Sequence, residues 1–298
     1  MRARLSDYSL RSAASLAEAL ELLAAEPGRW RPLAGGTDLM VVLESGSLQH
    51  REYLSLWNLD ELRGIDVTEQ EVVIGASTTY TDVLGHETLR AEFPLICQAA
   101  AETGGVATQN RGTLGGNIAN ASPAADTPPA LIAYDAELDL VSTRGTRRVA
   151  YARFHTGYKE MDLRPDELIR AIRLPRPRGR WRQWYRKVGT RRAQAISKVC
   201  FAGRLKVSDG LAEDVRLGFA SVAPTVVRAI HAEDSVRGRP LDAKSIAAAR
   251  ASLARDLSPI DDDRSTARYR LRIAGNLLEM FLTQGLEGDS NRQGWVST

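Results

Sequence analysis

Residues 113–126 of the chain read TLGGNIANASPAAD, a stretch without metal-ligand spacing and without a nucleophile beside a base. The adjacent Gly115 and Gly116 allow positive φ and let a ligand approach the main chain closely. Successive N–H groups in such a turn form a concave anion site, and a helix starting just after it would add its positive end. The stretch also offers hydroxyls, amides and one carboxylate to a ligand, from Thr113, Asn117, Asn120, Ser122 and Asp126. It therefore predicts a site for a phosphate-bearing ligand.

A second glycine pair lies upstream, in the segment Leu33-Ala34-Gly35-Gly36-Thr37-Asp38-Leu39. A single Gly-Gly pair is a weak signal, because most such pairs are only turns. Two loops of the same chemistry in one chain indicate a long ligand with a diphosphate in its middle, held from two sides. Residues 33–39 are called the first glycine loop below, and residues 113–117 the second glycine loop.

Length and composition describe a globular protein large enough for two domains, with 298 residues, 43% apolar and 26% charged. We expect no membrane span, because no apolar run approaches about 20 residues, and no secretory signal, because residues 1–8 contain no apolar core. Cys97 and Cys200 lie far apart and are predicted to be reduced core thiols of a cytoplasmic protein without a metal site of its own. The net charge of +3 is too small to indicate nucleic acid by itself.

The spacing of apolar residues predicts helices mixed with strands, an α+β fold. The predicted helices include 12–26, 94–101, 127–134, 225–236, 243–256 and 265–285, and the predicted strands 52–56, 71–76, 137–142, 167–174, 201–207 and 215–220. Asp126 is the expected cap of the helix over 127–134, and Thr37 and Asp38 are expected to cap the turn after the first glycine loop. The last helix is predicted to bury a stripe of Tyr269, Ile273, Leu277 and Met280.

Residues 175–180, with the sequence PRPRGR, form a linker by composition and predict a domain boundary. Residues 173–192 contain nine basic residues and no acidic one, with Trp181, Trp184 and Tyr185 between them. Three interpretations fit this basic segment: a nucleic-acid patch, a solvated strand face with an aromatic inner side, and a docking surface for an acidic partner or a cofactor phosphate.

Together, in this order, the motifs resemble the FAD-binding medium subunit of molybdenum hydroxylases, the family of xanthine dehydrogenase and aerobic carbon monoxide dehydrogenase. The resemblance rests on residues 33–39, 111–117 and 121–126, with later marks at 165–169, 185–189, 195–199, 223–225 and 263–270. It implies a two-lobed FAD-binding domain of the PCMH type over residues 1–175. A C-terminal domain with a three-stranded sheet and a helical bundle would follow over 180–285, and then a loose tail over 286–298.

The resemblance also implies FAD as the cofactor and assigns its contacts. The first glycine loop would hold the diphosphate through Leu33, Ala34, Gly35, Gly36, Thr37, Asp38 and Leu39. The second would hold it from the other side through Thr113, Gly115, Gly116 and Asn117. Ser122, Ala125 and Asp126 would lie along the ribityl chain and the isoalloxazine ring, Ile169 would pack on the flavin, and Lys187 would lie near the ring.

The implied role is that of an oxidoreductase subunit that relays electrons and has no catalytic acid or base of its own. Electrons would come from a small subunit with two [2Fe–2S] clusters, fed by a large molybdopterin-binding subunit, in a dimer of heterotrimers. The acceptor would be NAD⁺, a quinone or oxygen. Two alternatives remain at this point: a self-contained FAD-dependent oxidoreductase, and a nucleic-acid-binding module that uses the basic segment.

Overall fold

A computed structural model describes residues 5–191, 194–286 and 296–297 of the chain. Its first lobe contains β1 (Ser9–Ser12), α1 (Leu16–Ala25), β2 (Arg31–Leu33), α2 (Thr37–Glu44) and β3 (Glu52–Ser55). The strands are parallel in the order β1-β3-β2, so their carboxyl ends lie at one edge of the sheet. Helix α1 is shorter than predicted and begins after Ser15, whose side chain accepts a hydrogen bond from the N–H of Glu18.

The second lobe is built on an antiparallel sheet with helices packed against it. Its elements are β4 (Ile65–Val67), β5 (Glu71–Gly75), α3 (Tyr80–Gly85), α4 (Glu87–Glu92), α5 (Pro94–Glu102), α6 (Val106–Gln109), α7 (Leu114–Asn120), α8 (Pro128–Ala133), β6 (Glu137–Ser142), β7 (Gly145–Ala150), β8 (His155–Gly157), β9 (Glu160–Met161) and β10 (Leu168–Pro175). The sheet order is β4-β5-β10-β6-β7, and β8 pairs with β9 apart from it. One buried cluster joins Ile74 and Ile172 of the sheet to Ile96, Leu114 and Leu131 of the helices.

The C-terminal part combines a second antiparallel sheet with three helices. Its elements are β11 (Arg182–Val188), β12 (Val199–Ser208), β13 (Leu211–Ala220), β14 (Val227–Arg228), α9 (Ile230–Val236), α10 (Ala243–Leu253), α11 (Ala267–Leu286) and β15 (Val296–Ser297). The three long strands β11, β12 and β13 form the predicted three-stranded sheet, and the two-residue strands β14 and β15 extend it at its edges. Helix α9 begins later than predicted, because residues 227–228 pair with β13 instead of coiling.

The buried face of α11 differs from the predicted stripe. Tyr269 and Met280 are exposed, whereas Leu277 is buried. The face that packs into the core consists of Ala274, Leu277, Leu278, Phe281 and Leu282. Nζ of Lys198 instead lies over the ring of Tyr269, 5.4 Å from the ring centroid. The prediction is therefore confirmed for Leu277 and for Ile273, which is partly buried against this core, and is wrong for Tyr269 and Met280.

The basic segment forms the linker and strand β11. Trp181, Trp184 and Tyr185 are all buried, so none of them is available to stack on a nucleic-acid base. This arrangement favours the strand interpretation. Cys97 and Cys200 are buried and free, as predicted. Among the described residues, no helix is both long and apolar enough to cross a membrane. The predicted loose tail falls almost entirely on residues outside the described ranges.

The C-terminal sheet packs directly on α8 of the second lobe. A Cβ at Gly218 would overlap the carbonyl group of Pro129, so the two backbones touch. The hydroxyl of Tyr134 donates to Gln183 Oε1 at 2.7 Å and accepts from the N–H of Leu95 at 3.0 Å. This junction fixes the position of the segment that leads into α8, which includes Asp126.

Candidate functional site

The first glycine loop lies at the carboxyl edge of the parallel sheet, where sheets of this type bind ligands. Gly36 takes φ +74° and is the residue before the first turn of α2. No side chain caps this helix, so the expected capping by Thr37 and Asp38 is wrong. Both residues lie inside the first helical turn, where their side chains cannot reach the backbone groups that a cap residue satisfies.

The backbone N–H groups of this loop are left without partners. Within the described part of the chain, the five consecutive N–H groups from Gly35 to Leu39 donate to no protein acceptor. Helix α2 also has no buried residue, so the loop is open to a ligand. Unpaired N–H groups at the start of a helix attract anions through both their hydrogen bonds and the helix dipole. The loop therefore fits a phosphate-bearing group.

The structure brings the first glycine loop into contact with residues 111–112, directly before the second glycine loop. A Cβ at Gly35 would overlap the carbonyl oxygen of Arg111, two residues before the second loop begins. The absence of a side chain at Gly35 thus allows the backbones to meet, a use of glycine that needs no positive φ. The first glycine loop and the residues that lead into the second therefore lie side by side, and binding of one ligand by both loops stays a prediction.

The second glycine loop differs from the prediction, because its glycines lie within α7 instead of in a turn before it. Neither Gly115 nor Gly116 has positive φ. Thr113 is the cap, and its hydroxyl accepts from the N–H of Gly116 at 3.1 Å. The other N–H groups at this end are also taken, since Gly115 donates to the carbonyl of Ala76 at 2.8 Å. This loop therefore offers shape and side chains, whereas the first loop offers free N–H groups.

Gly115 has its own steric requirement. A Cβ there would lie 2.7 Å from the carbonyl oxygen of Ala76, so only glycine lets α7 start against this strand end. The predicted polar side chains near it already have protein partners. Asn117 accepts from the hydroxyl of Thr127 at 2.7 Å, and Asn120 accepts from Lys159 at 2.8 Å.

The segment from Ser122 to Asp126 connects the second lobe to the C-terminal sheet. Ser122 accepts from the N–H of Ala124 at 3.3 Å, and Ala125 is buried. The carbonyl of Ala124 accepts from the hydroxyl of Ser197 at 3.2 Å. The backbone of this predicted contact segment is thus held from the C-terminal side.

Asp126 is not the cap of α8, because Thr127 occupies that position. Its carboxylate instead faces Lys187 of β11, with 2.6 Å between Oδ2 and Nζ. Lys187 also donates to the carbonyl of Glu102 at 3.0 Å. The second carboxylate oxygen, Oδ1, is buried and has no hydrogen-bond partner among the described residues. Burial raises the pKa of Asp126 to about 6, against the opposing effect of Lys187.

Ile169 is buried in β10, with 7% of its surface exposed. It belongs to the same apolar cluster as Leu114 and Ile118 of α7. The strand pairing shifts register directly after it, between Ile169 and Ala171. A bulge of this kind changes which face the following side chains occupy.

Three site residues escaped the sequence reasoning. Trp57 follows β3 at the same sheet edge as the first glycine loop, and the guanidinium groups of Arg63 and Arg111 stack on its indole. In the sequence, Arg111 stands out only as the first residue of the motif over residues 111–117. One sequence signal could have revealed these three residues. Trp57 follows a strand by two residues, and the neighbouring strand is followed by a glycine pair.

These features are those of a protein with an open anion site, formed by backbone N–H groups, at the edge of a parallel sheet. Residues 6–177 match the model of the FAD binding domain in molybdopterin dehydrogenase. Residues 184–284 match the model of the CO dehydrogenase flavoprotein C-terminal domain. The chain belongs to the family of FAD-binding subunits of molybdenum hydroxylases. FAD is its cofactor, and the chain is an oxidoreductase component.

The similarity to known proteins covers almost the whole chain. The xanthine dehydrogenase FAD-binding subunit of Escherichia coli O157:H7 is 32% identical, covering 93% of this chain and 96% of the relative. The glyceraldehyde dehydrogenase medium chain of Sulfolobus acidocaldarius is also 32% identical, with 90% and 94% covered. A solved carbon monoxide dehydrogenase of Hydrogenophaga pseudoflava aligns with a TM-score of 0.89 at 29% identity, covering 93% and 96%. The α+β fold is therefore that of the carbon monoxide dehydrogenase medium subunit.

Proposed function

We propose that this chain relays electrons through FAD within a molybdenum hydroxylase. It would receive them from the [2Fe–2S] clusters of a small partner subunit and deliver them to an external acceptor. The observation that carries the proposal is the run of N–H groups from Gly35 to Leu39 that have no acceptor among the described residues, where Gly35 packs against Arg111 directly before the second glycine loop. When bound, the flavin supplies the electron transfer, and the chain binds, orients and tunes it.

The proposed contacts follow the two loops and the domain junction. The N–H groups of the first glycine loop bind the diphosphate, and the second glycine loop closes the other side. Ser122, Ala125 and Asp126 lie along the ribityl chain and the ring, where the unpartnered Oδ1 of Asp126 accepts a hydrogen bond from the cofactor. Lys187 has two protein partners, so one of its three N–H groups is left to donate to the ring. Ile169 forms an apolar contact with the flavin.

The proposed partners are a small [2Fe–2S] subunit and a large molybdopterin-binding subunit, assembled as a dimer of heterotrimers in the cytoplasm. Relatives named as FAD-binding subunits or medium chains support a multi-subunit arrangement. The acceptor is NAD⁺, a quinone or oxygen. Residues 1–175 and 180–285 are proposed as the two domains, with the cofactor bound by the first and Lys187 contributed by the second.

Purification of the tagged full-length chain from its native host tests this proposal. We expect FAD, iron and molybdenum in the same particle, and reduction of the flavin when the particle oxidises its substrate. Recovery of the chain always alone, without iron or molybdenum, would contradict it. Turnover of a donor by the isolated chain would favour the self-contained oxidoreductase instead.

A matched pair of variants connects the result to the site. Gly36→Asp places a negative charge in the anion site, and we expect the complex to keep its metals but lose FAD and transfer to the acceptor. Gly210→Asp makes the same change at φ +75° in a distant turn with no atom within 4 Å, and should keep FAD. Equal FAD content in the two variants would contradict the placement of the diphosphate.

A further inference from the structure

A stack of two arginines on one tryptophan stands beside the first glycine loop. The Cζ atoms of Arg63 and Arg111 lie 4.2 Å and 3.6 Å from the ring centroid of Trp57. Arg63 also donates from Nη2 to the carbonyl of Trp57 at 2.6 Å. Neither guanidinium group forms an ion pair with any carboxylate that the structure describes. Stacking holds the two groups in place without neutralising them.

The topology places this stack at the proposed ligand site. Strand β3 is the middle strand of the parallel sheet, so Trp57 leaves the sheet at the same edge as the first glycine loop. The N–H of Leu56 donates to the carbonyl of Leu33 at 2.8 Å, which joins the two strand ends. Arg111 reaches the loop through its carbonyl oxygen, which packs against Gly35. The stack and the N–H groups of the first glycine loop therefore lie at the same edge of the sheet.

The charges near the loop leave this pair available for an anion. The two guanidinium groups lie at most about 8 Å apart, because both contact one ring, and their like charges repel. Two other cations at the proposed site are already engaged, since Lys187 pairs with Asp126 and Lys159 donates to Asn120. The glycine loops contribute neutral donors and the acidic Asp38. A bound diphosphate would relieve the repulsion between the arginines.

We propose that Arg63 and Arg111, stacked on Trp57, form a cationic wall of the cofactor site, and that their ligand is the diphosphate of FAD. The inference rests on the proposed function, which places the diphosphate at the first glycine loop. Arg63 and Arg111 are binding residues in this arrangement. Trp57 is a positioning residue that fixes both guanidinium groups before the cofactor arrives.

FAD titrations of the flavin-free full-length chain at several salt concentrations test the wall. We expect Arg63→Ala and Arg111→Ala each to weaken FAD binding by about tenfold at low salt. Each should also reduce the slope of log Kd against log salt, because a charge that meets the phosphates is lost. Arg111→Lys should keep the slope. Riboflavin, which has no phosphate, should bind the alanine variants and the wild-type chain equally.

The chain offers a matched control in Arg51→Ala. Arg51 stacks on Tyr8 at 4.4 Å and precedes β3, at the opposite edge of the same sheet. This variant loses the same type of contact and should keep the wild-type affinity and salt slope. Unchanged affinity and slope in Arg63→Ala and Arg111→Ala would overturn the wall while leaving the proposed function in place. A wild-type chain that binds no FAD would overturn both.

The role of Trp57 needs a separate pair of variants. Trp57→Ala should weaken FAD binding, and Trp57→Phe should recover part of the affinity because a ring remains for the guanidinium groups. If Trp57→Ala does not fold, Trp57→Phe and the two arginine variants still decide the question. Wild-type affinity in a folded Trp57→Ala chain would contradict the positioning role.

Discussion

The ammonium group of Lys187 lies 2.6 Å from Oδ2 of Asp126, across the junction between the second lobe and the C-terminal sheet. Both side chains are nearly buried, with 7% and 11% of their surfaces exposed. A pair removed from water in this way contributes less to stability than its short distance suggests, because both charges lose hydration. The ion pair instead positions the two side chains, which are both predicted cofactor contacts and come from different parts of the chain.

Asp126 is expected to titrate near neutrality, because burial raises its pKa to about 6. Infrared difference spectra should show a protonated carboxylic acid band that disappears as the pH rises through 6 and is absent in Asp126→Asn. The folded pKa exceeds the unfolded value near 3.8, so the native state holds the proton more tightly. The contribution of Asp126 to the free energy of unfolding therefore falls by at most about 3 kcal/mol between pH 4 and 6 and is constant above.

Lys187→Met tests whether Lys187 influences the pKa of Asp126. Because Lys187 lowers the pKa of Asp126, its removal should move the loss of the acid band to higher pH. A band that does not move would show that the two groups do not interact in solution.

Gly36→Ala is expected to weaken FAD binding more than it lowers stability. The nearest atoms to an added Cβ are 4.0 Å away, so the structural cost is the strain of φ +74°, about 1 kcal/mol. The methyl group would stand among the free N–H groups and should raise the Kd for FAD about tenfold. Gly210→Ala has the same strain at φ +75° and should bind FAD normally. Calorimetry with flavin titration measures both quantities, and equal Kd values would argue against an anion site at this loop.

Gly35→Ala should be more damaging to the fold, because the added Cβ would overlap the carbonyl oxygen of Arg111. We expect a loss of about 3 kcal/mol in the free energy of unfolding, together with loss of FAD, since the two loops must separate. Gly85→Ala is the control, as no atom lies within 4 Å of its Cβ and its backbone is unstrained. Urea unfolding compares the two. If the Gly35→Ala chain is as stable as the Gly85→Ala chain, Gly35 does not pack against the backbone of Arg111.

Tyr134→Phe probes the packing of the C-terminal sheet on the second lobe. The variant leaves the N–H of Leu95 and the amide of Gln183 without the partner that the buried hydroxyl supplied. The expected destabilisation is about 1–3 kcal/mol, the cost of leaving the buried N–H of Leu95 without its acceptor. Tyr158→Phe should change nothing, because Tyr158 is 66% exposed. Chemical denaturation followed by circular dichroism measures the difference. Equal midpoints for Tyr134→Phe and Tyr158→Phe would show that the hydrogen bonds of the Tyr134 hydroxyl do not stabilise the junction.

Much of the local structure could be predicted from the sequence. The capping box at Ser15, the hairpin of β12 and β13 and the glycine loops each depend on a few neighbouring residues. Errors arose where a residue had a distant partner. Asp126 was expected to cap α8 but pairs with Lys187 instead, and Tyr269 was assigned to the core but lies under Lys198. Local patterns cannot reveal such partners, because they are separated by tens of residues in the chain.

The sequence by itself determined the α+β class, the two glycine loops and the family resemblance, because each is encoded in short runs of residue types. Tertiary structure decided which loop has free N–H groups, since the N–H groups of α7 are taken by a strand end and by Thr113, whereas the first N–H groups of α2 have no acceptor within residues 5–191, 194–286 and 296–297. It also decided that Trp57, Arg63 and Arg111 meet, and the order β1-β3-β2 sets Trp57 at the same sheet edge as the first glycine loop. Contacts of this kind follow from strand order and packing, which no single stretch of the chain contains.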